Sequence, residues 1–136
     1  MKLIITLVCV FVPLVSSINI EKVPKLLQES WNLITKPYEA KCVAETGVNQ
    51  VYADRIFLYS EYPDDDALKC YMLCVCKELG IFNVSTGEWI VDAFLRVAGM
   101  TPEIYAVCND ETKAITNLCQ KTFDLSKCFA SHVREP

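Results

Sequence analysis

The chain has 136 residues, 52% of them hydrophobic, and its 13 basic and 17 acidic residues give a formal net charge of −4. This acidic balance argues against a nucleic-acid-binding protein, because phosphate recognition relies on clustered Lys and Arg. The length fits one small domain behind a leader segment, so a second domain is not expected.

The first 17 residues have the pattern of a secretory signal peptide. Lys2 supplies the positive start, an apolar run follows over residues 3–15, and small residues at 16 and 17 fit a cleavage site. The apolar run contains Pro13 and is too short to cross a bilayer, which argues against a membrane anchor. We therefore expect a secreted, extracellular protein whose single domain is residues 18–136, without stable membrane insertion.

Apolar residues that recur at helical spacing predict two helices at the start of this domain. The first begins near Val23 and closes at Gly47, with Pro37 as a bend or an end. The second begins behind Asn49 as its N-cap and ends at the break before Pro63.

The third and fourth predicted helices follow this break. Three aspartates at 64–66 favour a helix start over a calcium site, since a calcium loop spreads its ligands over a longer segment with a glycine turn. This third helix ends at Gly80. The fourth is amphipathic, begins at Trp89 and stops at Gly99.

Two further helices complete the prediction. Thr101 as N-cap and Pro102 at the first helical position start the fifth. The sixth runs from near Lys113 or Thr116 through Cys128. Strands with alternating apolar and polar residues are missing from the sequence, so we predict an all-α fold of about six helices.

Six cysteines stand at spacings that suit a helical bundle held by disulfides, C-x27-C-x3-C-x33-C-x10-C-x8-C. At about 100° per residue, Cys70 and Cys74 share one helix face, while Cys119 and Cys128 lie on opposite faces. Neither pair is placed to bond internally, so each cysteine reaches another segment. An exported chain makes disulfides the expected state, and the absence of C-x2-C knuckles argues against a metal site.

Two cysteines lie outside this frame. Cys9 is lost with the signal peptide, and Cys76 points away from the face that holds Cys70 and Cys74. We interpret Cys76 as a buried apolar residue, with an intermolecular disulfide or a reactive thiol as the alternative.

The cysteine spacing resembles that of the insect odorant-binding proteins, the general odorant and pheromone carriers. The resemblance covers residues 18–136, and C-x3-C followed at a distance by C-x8-C is its most specific part. Local sequences that add to it are Lys69-Cys70-Tyr71-Met72, Lys77-Glu78-Leu79-Gly80 and Phe123-Asp124-Leu125-Ser126-Lys127-Cys128.

This resemblance implies the disulfide pairing, which the spacing alone leaves open among several arrangements. It pairs Cys42 with Cys74, Cys70 with Cys119, and Cys108 with Cys128. The implied fold is a compact bundle of about six helices, stapled by three interlocked disulfides around an apolar cavity.

The implied function is that of a secreted carrier, which binds odorants, pheromones or similar hydrophobic molecules in that cavity and delivers them to receptors. An olfactory role would place it in sensillum lymph, with an odorant receptor as a partner. Phe123 is assigned to the cavity wall from its place between the last two cysteines of the frame. Helical phase adds ten further candidates for ligand binding: Tyr52, Ile56, Met72, Trp89, Phe94, Val97, Met100, Ile115, Leu118 and Phe129.

Two alternatives remain open in the sequence. One is a non-olfactory extracellular carrier of lipids, and the other is a solid disulfide-rich bundle that signals through its outer surface. An enzyme is not expected, because G-x-S-x-G and a His-Asp pair beside a cysteine-rich helix are both absent. Neither a cofactor nor a metal is expected. Asn83 begins a glycosylation sequon. We expect the chain to be a monomer or a weak homodimer.

Overall fold

The computed structural model describes residues 17–20 and 22–134. Within these residues the chain forms six helices: α1 (Lys25–Thr46), α2 (Gln50–Tyr59), α3 (Asp66–Glu78), α4 (Val91–Phe94), α5 (Pro102–Thr112) and α6 (Leu118–His132). The predicted all-α fold class is therefore confirmed. The predicted signal peptide lies outside the described residues, except for Ser17.

Two short antiparallel ribbons were not predicted. In one, β1 (Ser17–Asn19) pairs with β2 (Glu61–Pro63), so that Ile18 stands opposite Tyr62. In the other, β3 (Phe82–Asn83) pairs with β4 (Glu88–Trp89). Segments of two or three residues are too short to show the alternation by which strands are recognised in a sequence.

Side-chain caps fix the starts of four helices. The predicted caps of α2 and α5 form, since Asn49 Oδ1 accepts from the Val51 N–H and Thr101 Oγ1 from the Ile104 N–H. Among the three aspartates, Asp65 caps α3, because its Oδ2 accepts from the Leu68 N–H at 2.8 Å. Each such bond satisfies one of the free amides at a helix start.

The sixth helix differs from its prediction at both ends. Its N-cap is Asn117, whose Oδ1 accepts from the Gln120 N–H at 3.0 Å, and it continues past Cys128 to His132. The first helix, by contrast, runs through Pro37 and closes where expected, at Gly47, whose φ of 67° suits glycine.

The fourth helix is much shorter than predicted. Trp89 lies in β4 opposite Phe82, and helix geometry is limited to Val91–Phe94. The turn between Asn83 and Glu88 folds the chain back, so the apolar residue at 89 serves a strand and not a helix. Helical phase failed here because one apolar series crosses two kinds of structure.

Three disulfides tie the helices together in the pairs that the resemblance implied. Cys42 on α1 bonds Cys74 on α3, and Cys70 on α3 bonds Cys119 on α6. The third bond, between residues 108 and 128, joins α5 to α6. Helix α3 carries two of the three bonds and packs its buried face, including Leu68 with no exposed surface, against the core.

An ion pair holds β2 against α2. The Arg55 guanidinium donates to both carboxylate oxygens of Glu61, at 2.7 and 2.8 Å. This hydrogen bonding lowers the pKa of Glu61 below its ordinary value of 4.5, and partial burial offsets only part of the effect.

We expect removal of the Cys70–Cys119 bond to destabilise the protein more than removal of the Cys108–Cys128 bond. The two bonds close loops of 49 and 20 residues, which in the chain-entropy model are worth about 4 and about 3 kcal/mol. Paired Cys→Ser variants compared by urea denaturation measure the difference. Equal losses, or a larger loss from the Cys108–Cys128 variant, would contradict this expectation.

We also expect Glu61→Gln to weaken the fold at neutral pH and not in acid. The lowered pKa means that the pair stabilises the folded state above about pH 4.5 and that this contribution is lost as the pH falls. Because 42% of the Arg55 side chain is exposed, water screens the pair and the loss near pH 7 should be at most about 1 kcal/mol.

Urea denaturation near pH 7 and near pH 3 tests the sign of this effect. Asp110→Asn, which removes the exposed pair with Lys113, is the matched control and should change little. A Glu61→Gln effect of the same size at both pH values would show that charge is not the cause.

Candidate functional site

A small cavity lies among α1, α3, α6 and the segment that follows β4. Its volume is about 50 Å³. Eleven of its 14 lining residues are aliphatic or aromatic, the other three are Thr35, Cys76 and Ser126, and none of the lining residues is charged. The lining comprises Trp31, Ile34, Thr35, Phe57, Tyr62, Met72, Val75, Cys76, Leu79, Ile81, Phe94, Val97, Ser126 and Phe129.

Several polar atoms of the lining are already used by the backbone. The Thr35 hydroxyl donates to the Trp31 carbonyl at 2.8 Å, and the Tyr62 hydroxyl donates to the Ser126 carbonyl at 3.3 Å. The Trp31 Nε1–H donates to the Ala98 carbonyl at 2.8 Å. Burial raises the pKa of Tyr62 well above its usual range, so its phenol stays neutral. The cavity therefore presents an uncharged and mainly apolar wall.

Cys76 is the one cysteine without a disulfide among the described residues, and it lines the cavity. Only 3% of its surface is exposed. Burial raises the pKa of its thiol to about 12, although a hydrogen bond with Ser126 acts in the opposite direction. Since the thiolate is the reactive form, Cys76 packs here as a neutral side chain.

An aromatic cluster forms one side of the cavity and extends behind it. The rings of Trp31 and Phe129 meet edge to face with their centroids 5.2 Å apart, and the centroids of Phe129 and Phe94 are 6.1 Å apart. Phe94 in turn stacks on Trp89 at 4.6 Å, and Trp89 meets Phe82 at 4.8 Å. The rings thus run from the cavity lining to the β3–β4 ribbon.

The predicted ligand-binding residues divide into two groups. Met72, Phe94, Val97 and Phe129 line the cavity, and Trp89 stands one ring behind it. The other six candidates lie away from the lining. They are Ile56 and Met100 in the core, the partly buried Tyr52, Ile115 and Leu118, and Phe123.

Phe123 borders a different feature, a polar surface groove of about 450 Å³. Its ring packs edge to face on Tyr62 at 5.5 Å and lies near Lys69, whose Nζ pairs with Asp64 at 2.6 Å. Charged side chains around this groove make it a poor site for an apolar molecule.

Sequence reasoning missed most of the lining. Helical phase marks a buried face, but it does not tell which buried side chains border a void and which touch other side chains. The available signal was the four-residue spacing of Trp31 and Thr35, which places both on one face of α1. The missed residues are Trp31, Ile34, Thr35, Phe57, Tyr62, Val75, Cys76, Leu79, Ile81 and Ser126.

Two other possible sites are a cluster of metal-binding residue types and the glycosylation sequon. Cys108, Cys128 and His132 form the one cluster with metal-ligand spacing among the residues that the structure describes, and its two sulfurs are joined in a disulfide. Asn83 is exposed, and its Oδ1 accepts from the N–H groups of Ser85 and Thr86. The first residue of the sequon therefore lies at an exposed turn.

No helix in the described ranges combines the length and the apolar character that a membrane span requires. This finding concerns residues 17–20 and 22–134 only.

Comparisons with known proteins agree on one family. The chain is 26% identical over 97 residues to odorant-binding protein 22 of Aedes aegypti, covering 68% of this chain and 69% of that one. It is 21% identical over 101 residues to general odorant-binding protein 99b of Drosophila melanogaster, covering 68% and 67%.

The fold is similar to that of Apis mellifera odorant binding protein 5. The TM-score is 0.59 at 25% sequence identity, and the match covers 80% of this chain and 97% of the honeybee protein. The sequence profile of the PBP/GOBP family matches residues 27–132, which include all six bonded cysteines. The helices and the three disulfides agree with this match, so the chain belongs to the PBP/GOBP family of odorant-binding proteins.

Proposed function

We propose that this protein is a secreted carrier, which binds small, neutral, hydrophobic molecules such as odorants or pheromones in the cavity and delivers them to receptors. The observation that carries the proposal is the uncharged, mainly apolar cavity that α1, α3 and α6 border. Transport of this kind needs no catalytic residue. The family to which the chain belongs is named for odorant binding, which supports the same ligand class.

The uncharged wall favours neutral ligands over fatty-acid anions. A carboxylate placed against this lining would lose its hydration without gaining a cationic partner, and an unpaired buried charge is costly. Alcohols, aldehydes, ketones and esters of low molecular weight avoid this cost.

The size of the cavity requires it to enlarge on binding. At about 50 Å³ it is much smaller than the roughly 150 Å³ apolar cavity that accommodates benzene. Met72 is a flexible lining residue that can repack around a guest. A ligand that buries about 300 Å² of apolar surface gains roughly 7 kcal/mol, from which immobilisation and repacking are subtracted. We therefore expect dissociation constants between about ten micromolar and about millimolar.

The small volume also favours the second candidate, a solid bundle that acts through its outer surface. The two candidates differ in whether the interior accepts a guest at all.

A fluorescent apolar probe, N-phenyl-1-naphthylamine, separates them. A carrier takes up one probe molecule per chain and releases it to competing neutral odorants, because both occupy the same cavity. A solid bundle gives no saturable fluorescence increase, and that result would end the carrier proposal.

We further expect Val97→Phe to weaken probe binding by about tenfold or more. Val97 lines the cavity, so a larger ring at this position fills space that a ligand needs. Val107→Phe, at a position on α5 that is 44% exposed, is the matched control and should bind the probe normally.

Probe titrations of both variants, with thermal melts to show that each is folded, provide the measurement. Equal binding by folded Val97→Phe and the natural protein would place the probe elsewhere on the molecule.

A further inference from the structure

The polar side chains of the cavity wall differ in whether their hydrogen-bond donors are already used. The hydroxyls of Thr35 and Tyr62 both donate to backbone carbonyls, and so does the Trp31 Nε1–H. A ligand cannot use these three donors without breaking a bond to the backbone. The other O–H and S–H groups of the wall belong to Ser126 and Cys76.

Ser126 differs from the other hydroxyl residues of its helix. Helix α6, which the structure describes throughout, carries three hydroxyl side chains. Thr122 Oγ1 donates to the Leu118 carbonyl at 2.9 Å, and Ser131 Oγ donates to the Cys128 carbonyl at 2.7 Å. Such bonds to the preceding turn are usual for Ser and Thr within a helix. In this fully described helix, the Ser126 hydroxyl makes no bond of this kind.

The Ser126 hydroxyl has the Cys76 thiol as its hydrogen-bonding partner instead. Cys76 lies on α3, is only 3% exposed and lines the cavity. The contact therefore directs the hydroxyl towards the interior and not towards solvent. A cysteine sulfur is a weak acceptor, so the hydroxyl can exchange it for a stronger acceptor with little loss.

We propose that the Ser126 hydroxyl is the polar contact for a ligand and donates a hydrogen bond to the ligand's oxygen in place of the Cys76 sulfur. Compounds with a carbonyl or hydroxyl oxygen are thereby favoured over hydrocarbons with the same carbon skeleton. The inference rests on the proposed carrier function and adds to it the residue that selects the functional group of the ligand.

Acetophenone and ethylbenzene test this selection, because they share a carbon skeleton and only acetophenone has a carbonyl oxygen. Competition against the fluorescent probe gives the ratio of their affinities. Ser126→Ala should lower the ratio of acetophenone affinity to ethylbenzene affinity about fivefold, as expected for the loss of one neutral hydrogen bond. Alanine favours a helix, so this variant should fold, and thermal melts check that it does.

Thr35→Val is the matched control. It removes a hydroxyl of the wall that already donates to the backbone, so the ratio should stay unchanged even where both affinities change. An unchanged ratio in Ser126→Ala, or an equal fall in Thr35→Val, would overturn the inference. If neither compound displaces the probe from the natural protein, the carrier function itself fails, and the inference fails with it.

Nuclear magnetic resonance of acetophenone labelled with carbon-13 at the carbonyl tests the contact itself. A hydrogen bond to the carbonyl oxygen moves this carbon signal downfield. The signal of the bound ketone should lie further upfield in Ser126→Ala than in the natural protein or in Thr35→Val. In the natural protein it should also lie downfield of acetophenone in cyclohexane, a comparison that needs no variant. Failure of either difference to appear would overturn the role of the hydroxyl.

Discussion

The two disulfides on α3 are the constraint on which the rest of the structure depends. Cys70 and Cys74 stand four residues apart, and they bond in different directions, to α6 and to α1. These three helices supply much of the cavity wall. In the chain-entropy model the two bonds together are worth about 8 kcal/mol, which is comparable to the net stability of an ordinary domain. Such covalent support lets a small bundle keep an imperfectly filled interior.

The unequal distribution of these bonds gives the cavity one fixed side and one adjustable side. The helices α1, α3 and α6 are joined by disulfides, while the segment from β4 to residue 97 contributes Phe94 and Val97 without a covalent tie. The aromatic cluster continues through this segment to Trp89. Covalently tied and untied segments thus share the cavity wall, which suits a site that must enlarge around neutral molecules of different shape.

The sequence predicted the fold class well because its strongest signals are local. Asn49, Thr101 and Gly47 act at single positions whose chemistry hardly depends on the rest of the chain. The disulfide pairing came from the family resemblance. The predicted start of the fourth helix was wrong, because Trp89 pairs with Phe82 and the turn between them sets this pairing. Cavity residues were predicted least well, since a void is defined by side chains from distant segments.

We propose that neutral hydrophobic ligands occupy the space between the disulfide-bonded helices. A crystal structure of the protein with hexyl methyl ketone, a neutral and mainly apolar molecule, decides whether they do. We expect one ketone molecule bordered by Met72, Phe94 and Phe129. A ketone bound only in the polar groove beside Phe123 and Lys69, with the interior unchanged, would be inconsistent with a carrier that uses this cavity.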